Sequence, residues 1–226
     1  MIFTFEKRSS DSPFVKSIWR TQSERRAAFI STAAIHWEIV LMSYQGKTSV
    51  TVRGPETKAT VVPIPAEAEW LGITFKLGTF MPDWPPGRLL DMQDVNLPAA
   101  TGKFFFLHGS TWEFPSYENA DTFVTRLERD DLLGHDPLIA AVRQGRPPSL
   151  SLRSIQYHFL RATGLTQKKI RQIERARRAA ALLSGGMPIL DTVHETGYFD
   201  QSHLTNGLRR FIGRTPAQIL CIKTGG

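Results

Sequence analysis

The segment GYFDQSHLTNGLRRFIGRTP, Gly197 to Pro216, places Gln201, Ser202 and Asn206 at the start of a short periodic stretch and Arg209 and Arg210 near its end. Gln and Asn carry a donor and an acceptor on one amide, which matches the adenine edge exposed in the major groove, and Ser can pair with several bases. Guanidinium groups suit phosphate oxygens. Residues of these types, in this order, can read base edges with one end of a helix and hold the backbone with the other.

A second constellation suggests a different chemistry. His36 and Glu38 alternate onto one face of an expected strand, and His108 ends another. Two histidines and one carboxylate can form a facial metal site of the kind found in metal-dependent cupin enzymes. There is no H-x-H pair and no dense His/Glu cluster, so three unrelated polar residues on a sheet is the simpler reading. No metal, cofactor or enzymatic activity is expected. Cys221 is the one cysteine and cannot close an internal disulfide.

Several elements must position the first set. Asp200 is an expected N-cap, Leu204, Leu208 and Phe211 or Ile212 form an apolar face, and Gly213 is a stop. MPILDTVHETG (187–197) reads as the preceding helix, with Ile189, Leu190 and Val193 expected to be buried. Two short helices around a Gly-containing turn make a helix-turn-helix pattern. Upstream, DPLIAAVRQG and SLRSIQYHFLRATG form a looser pair capped by Asp136 and Ser151, with RPPS (146–149) between them. The two expected units cover about 136–164 and 187–213. TQKKIRQIERARRAAALLSGG (166–186) joins them, with an expected apolar line through Ile170, Ile173, Ala176, Ala180 and Leu183. Lys168, Lys169, Arg171, Arg175, Arg177 and Arg178 lie mostly off that line. At about 18 residues and 1.5 Å per residue this helix is roughly 27 Å long, near the ~34 Å between successive major grooves on one DNA face. TPAQILCI (215–222) reads as a last helix.

The first half has another rhythm. AIHWEIVLM (34–42), TSVTV (48–52), TKATVVPI (57–64), GITFKL (72–77) and GKFFFLH (102–108) read as strands, with further edge strands at 2–5 and 14–19. Val50 and Val52 face one side of their strand. The expected fold is therefore α+β in two domains: a β-rich barrel or sandwich over 1–118 and an all-α domain over 119–226.

Charge follows the same division. Residues 149–226 hold 12 Lys/Arg and 4 Asp/Glu, a net +8, whereas 1–118 hold 12 of each. The excess points to a polyanionic partner, most often nucleic acid, or to a solubilising surface, and a non-specific DNA-binding protein is a further class. No apolar run is long enough for a membrane span and no secretory leader is visible, so a cytoplasmic location without membrane partners is expected.

Residues 151–220 resemble the DNA-binding domain of AraC/XylS-type bacterial transcription regulators. The resemblance runs through S-x-x-S-I-Q-x-x-F-x-x-x-T-G-L-T (151–166), R-x-x-x-A-x-x-L-L (175–183), G-M-P-I-L-D-T-V (186–193) and G-Y-F-D-Q-S-H-L…F-I-G-R-T-P-A (197–217). It implies two helix-turn-helix units on one face of double-stranded DNA. It also implies that Arg153, Gln156 and Tyr157 meet the groove from the first unit, as Gln201, Ser202 and Asn206 do from the second. Tyr157 and Asn206 stand where family members often have arginine. Residues 34–77 more loosely resemble the cupin-like sensor domains that often precede this domain. Such domains bind a small-molecule effector, form a homodimer, or both, and an activator would also meet RNA polymerase.

Overall fold

The computed structural model of the chain describes residues 3–146 and 149–224; Ile2 and the prolines of the expected break at 146–149 lie outside them. Twelve strands and seven α-helices are present among the described residues. The strands are β1 (Phe3–Arg8), β2 (Val15–Ser23), β3 (Ala27–Ser31), β4 (Glu38–Tyr44), β5 (Lys47–Arg53), β6 (Thr60–Ile64), β7 (Glu69–Phe75), β8 (Thr79–Phe80), β9 (Val95–Leu97), β10 (Phe104–Leu107), β11 (Ser110–Glu113) and β12 (Gly134–His135). The helices are α1 (Ala120–Arg129), α2 (Pro137–Arg143), α3 (Leu152–Thr163), α4 (Gln167–Ser184), α5 (Ile189–Thr196), α6 (Gln201–Ile212) and α7 (Pro216–Thr224). A β-rich N-terminal region thus precedes a helical C-terminal region.

Two compact units divide the chain, and they do not divide it at 118/119. The first comprises the residues up to Ala27, His36–Pro55 and Pro63–Leu165; the second comprises Ala28–Ile35, Glu56–Val62 and the chain from Thr166 onward.

The first unit is built on an antiparallel sheet of order β1-β2-β7-β4-β5-β9. Alternation sets its faces: Val50 and Val52 are buried while Ser49 is exposed. Ile39 of β4 pairs with Val52 of β5 and Ile73 of β7, and all three are buried. Trp37 stacks on Phe75 with centroids 3.9 Å apart and donates Nε1–H to the Thr79 carbonyl. On the other face Trp19 lies across Gly72, where a Cβ would stand 2.0 Å from the indole ring, so only glycine admits this pairing. Helix α1 belongs to the same core, since Phe123, Val124 and Leu127 are buried with Phe105 and Trp112. That packing is why a boundary at 118 does not separate sheet from helices: the apolar face of α1 has the sheet side chains to cover it. The AIHWEIVLM segment enters its strand late, at Glu38, after Ala34 has paired with Glu56.

The second unit holds α4 to α7. The buried line of α4 is Ile170, Ile173, Ala176, Ala179 and Leu183, so Ala179 takes the place expected for Ala180. In α5 the expected burial of Leu190 is not found. Leu190 is 63% exposed, while Thr192, Val193 and Thr196 are buried. The threonines tolerate burial because each hydroxyl donates to the carbonyl four residues back, Thr192 to Pro188 and Thr196 to Thr192. Helix α7 starts with a reciprocal cap between Thr215 and Gln218.

Candidate nucleic-acid interface

Helix α6 is set by its ends. The Asp200 carboxylate accepts the His203 N–H at 2.6 Å, and Gly213 closes the helix in the left-handed region at φ 77°. Leu204, Leu208, Phe211 and Ile212 are buried, which turns Gln201, Ser202, Asn206, Arg209 and Arg210 outward, and all five are exposed. At about 100° per residue, Ser202, Asn206 and Arg209 share one stripe, with Gln201 and Arg210 at its flanks. The stripe runs from neutral amide and hydroxyl groups to cations, as base readout followed by backbone contact requires.

The turn before α6 is tied down from α4. Gly197 ends α5 at φ 68°. Arg175 of α4 donates from Nη1 to the Gly197 carbonyl at 3.2 Å, and its guanidinium lies 4.2 Å from the centre of the Tyr198 ring. Tyr198 is buried and meets His203 edge-on, with centroids 5.0 Å apart. Burial pushes the Tyr198 phenol above its ordinary pKa, against the pull of the Arg175 guanidinium. The backbone N–H of Phe199 donates to His203 Nδ1 at 3.5 Å, so that nitrogen serves as the ring's acceptor. The phenol also accounts for Gly207 in mid-helix: a Cβ there would stand 2.7 Å from the Tyr198 hydroxyl. An interior helical glycine costs roughly 0.5–1 kcal/mol relative to alanine, so Gly207 is a visible mark of a ring lying across the helix. Arg178 pairs with Glu195 of α5. The basic residues of α4 are thus not all a solvated face: Arg175 and Arg178 brace the helix-turn-helix.

The upstream pair lies in the first compact unit. Asp136 caps α2 by accepting the Leu138 N–H, and Ser151 caps α3 by accepting the Ser154 N–H. His158 of α3 bonds through Nδ1 to Asp136 Oδ2 at 2.6 Å, joining the two helices. Ile155, Phe159 and Ala162 are buried, and Arg153, Gln156 and Tyr157 are exposed. Tyr157 shares a surface depression with Phe80, Pro82 and Pro85. Gly164 closes α3 and passes so near the backbone of Pro86 and Gly87 that a Cβ would sit 2.6 Å from the Gly87 nitrogen. The segment between α2 and α3 is longer than that between α5 and α6.

His36, Glu38 and His108 each serve local contacts. Lys16 Nζ lies 2.7 Å from His36 Nε2, and His108 Nδ1 lies 2.6 Å from Asp83. Glu38 accepts from Thr74, Trp19 and Arg53; burial raises its pKa and Arg53 opposes the rise. Among the described residues no three His, Cys, Asp or Glu side chains are grouped to hold a metal ion. Among the same residues no helix is long and apolar enough to cross a membrane.

Comparison with known proteins adds one positive assignment. Residues 149–220 match the family described as a helix-turn-helix domain. No curated protein matches the chain. Among solved structures, ToxT from Vibrio cholerae is 11% identical, with 98% of this chain and 99% of that chain covered at a TM-score of 0.42. ToxT from Vibrio cholerae O395 gives 11% identity, 100% and 99% coverage and a TM-score of 0.41. A third structure, of the O395 protein bound to (E)-4-(8-methylnaphthalen-1-yl)but-3-enoic acid, is 10% identical, with 97% and 99% coverage and a TM-score of 0.41.

Proposed function

We propose that this chain, which carries an AraC-type helix-turn-helix domain over residues 149–220, is a cytoplasmic, sequence-specific regulator of transcription. The observation that carries the reading is the exposure of Gln201, Ser202 and Asn206 on a helix capped by Asp200 and held behind the Gly197 turn. Base-edge chemistry is concentrated where a recognition helix enters the major groove. Arg153, Gln156 and Tyr157 are the corresponding residues of the upstream pair, and Arg209 and Arg210 meet phosphates. The β-rich part of 1–118 that lies outside residues 28–35 and 56–62 is the sensor or dimerisation part, with a small-molecule effector, a homodimer and, for an activator, RNA polymerase as further partners. No residue in this reading acts as a catalyst.

The test is a titration of wild-type protein, Gln201→Ala and Arg153→Ala against a preferred duplex and a scrambled one. Each substitution is expected to cost about 1–3 kcal/mol on the preferred duplex and to relax preference at one position. Binding to the scrambled duplex should change little. Equal losses on both duplexes would remove these residues from base readout. A wild-type chain that binds both duplexes equally would instead be a non-specific DNA-binding protein.

A further inference from the structure

Two strand segments from the N-terminal half belong to the second compact unit, and no helix-turn-helix motif contains them. Residues 28–35 and 56–62 form a ribbon in which β3 pairs with β6, and the backbone N–H groups of Ala34 and Glu56 donate to each other's carbonyls at 2.9 Å. The ribbon meets α6 at a defined place. A helix leaves its last four carbonyls without intrahelical partners. In α6 the Gly213 N–H serves that of Arg209, the Ala59 N–H donates to that of Arg210 at 2.7 Å, and the Ala33 N–H donates to that of Phe211 at 2.8 Å. The ribbon therefore serves two of the terminal carbonyls of α6 by backbone hydrogen bonds.

Side chains fix the same joint. Arg177 of α4 donates from Nε to the Ala33 carbonyl at 2.9 Å and from Nη2 to the Thr32 hydroxyl at 3.4 Å. Ser31 Oγ donates to the Glu56 carboxylate at 2.9 Å. Ala33, Ile35 and Glu56 are buried. At Gly213 a Cβ would stand 2.6 Å from Ile30 and 3.1 Å from Ala59, so the glycine that ends α6 leaves room for these ribbon side chains.

We propose that residues 28–35 and 56–62 are a positioning ribbon of the DNA reader, which sets the axial seat of α6, and that Arg177 is its clamp. The proposal rests on the regulator reading above. The ribbon touches no base; it acts through α6. Because Ala33 and Ala59 bond α6 through their backbone N–H groups, those hydrogen bonds leave no side-chain signature in the sequence.

The test uses the full chain with Arg177→Ala and Arg177→Gln, the second retaining a neutral donor for the Ala33 carbonyl. On the preferred duplex Arg177→Ala is expected to bind about tenfold more weakly, a loss of about 1.4 kcal/mol. Its affinity for scrambled DNA and its salt slope should be unchanged, and Arg177→Gln should recover most of the loss. A lost phosphate contact gives another pattern: both duplexes weaken together and the slope of log K against log salt falls by about 0.9. That result, or no effect at all, overturns the proposal. Amide hydrogen exchange gives a readout without DNA. The Ala33 and Ala59 amides should be protected in wild-type protein, and should open together with the end of α6 in Arg177→Ala. Fast exchange of these amides in wild-type protein also overturns the proposal. A wild-type chain with protected amides but no duplex preference would refute the regulator reading and leave the ribbon in place.

Discussion

Gly207→Ala is expected to destabilise the second unit, although alanine is the better residue in a helix interior by roughly 0.5–1 kcal/mol. The added methyl group would stand 2.7 Å from the Tyr198 hydroxyl and 3.0 Å from its Cε1. The ring is buried and held by Arg175 and His203, so it has little room to retreat. Overpacking of this kind costs about 1–3 kcal/mol, more than the gain in propensity. Tyr198→Ala alone should cost about 3–5 kcal/mol, as large-to-small substitutions of buried aromatics do. It should also weaken specific DNA binding by about 100-fold, because Arg175 and His203 lose their common partner. The decisive result is a reversal of sign. In the Tyr198→Ala background the methyl group meets open space, and Gly207→Ala should then stabilise. Urea unfolding of the four proteins in this cycle measures the effect. A Gly207→Ala effect of the same sign and size in both backgrounds would mean that Tyr198 does not constrain α6.

The second large effect concerns salt. Lys168, Arg171, Arg209 and Arg210 are exposed cations of the second unit. If each neutralises one phosphate, log K falls against log salt with a slope of about −3.6, at about 0.9 per contact. Raising salt from about 50 to about 200 mM should then weaken binding roughly 150-fold. Fluorescence anisotropy on a labelled duplex reads this directly. Substituting Arg209 or Arg210 by alanine should lower the slope by about 0.9 each and weaken specific and scrambled duplexes alike. A flat salt response would contradict a phosphate-bound reader and would leave the net charge of +8 over residues 149–226 as a solubilising surface.

Features encoded locally were legible in the sequence. The caps at Asp136, Ser151 and Asp200 each accept a backbone N–H from the first turn of their helix, and Gly197 in the turn and Gly213 at the stop each adopt positive φ. These depend on a few adjacent residues, so sequence reasoning reaches them. The line of α4 was legible to within one position, because Ala179 and Ala180 are alike in size and only the packing separates them. Leu190 misled because side-chain hydrophobicity ranks leucine above threonine, while back-bonding lets Thr192 and Thr196 take the buried face. The 57–64 arm of the ribbon read as a strand, but its pairing and its place beside α6 were not legible. Its contacts to α6 join Ala33 to Phe211 and Ala59 to Arg210 through backbone groups far apart in the chain. The outward residues of α6 were legible by type and spacing, whereas the bracing role of Arg175 was hidden among similar basic residues. Gly207 carried the one available signal, a glycine where a helix former belongs.

Selection of duplexes from a random pool by the purified full chain tests the central claim most directly. The regulator reading predicts enrichment of one recurrent motif over successive rounds, and loss of preference at a single position of that motif when Gln201→Ala is used in place of the wild type. A bound pool that stays random in sequence through those rounds would contradict sequence-specific reading by this chain.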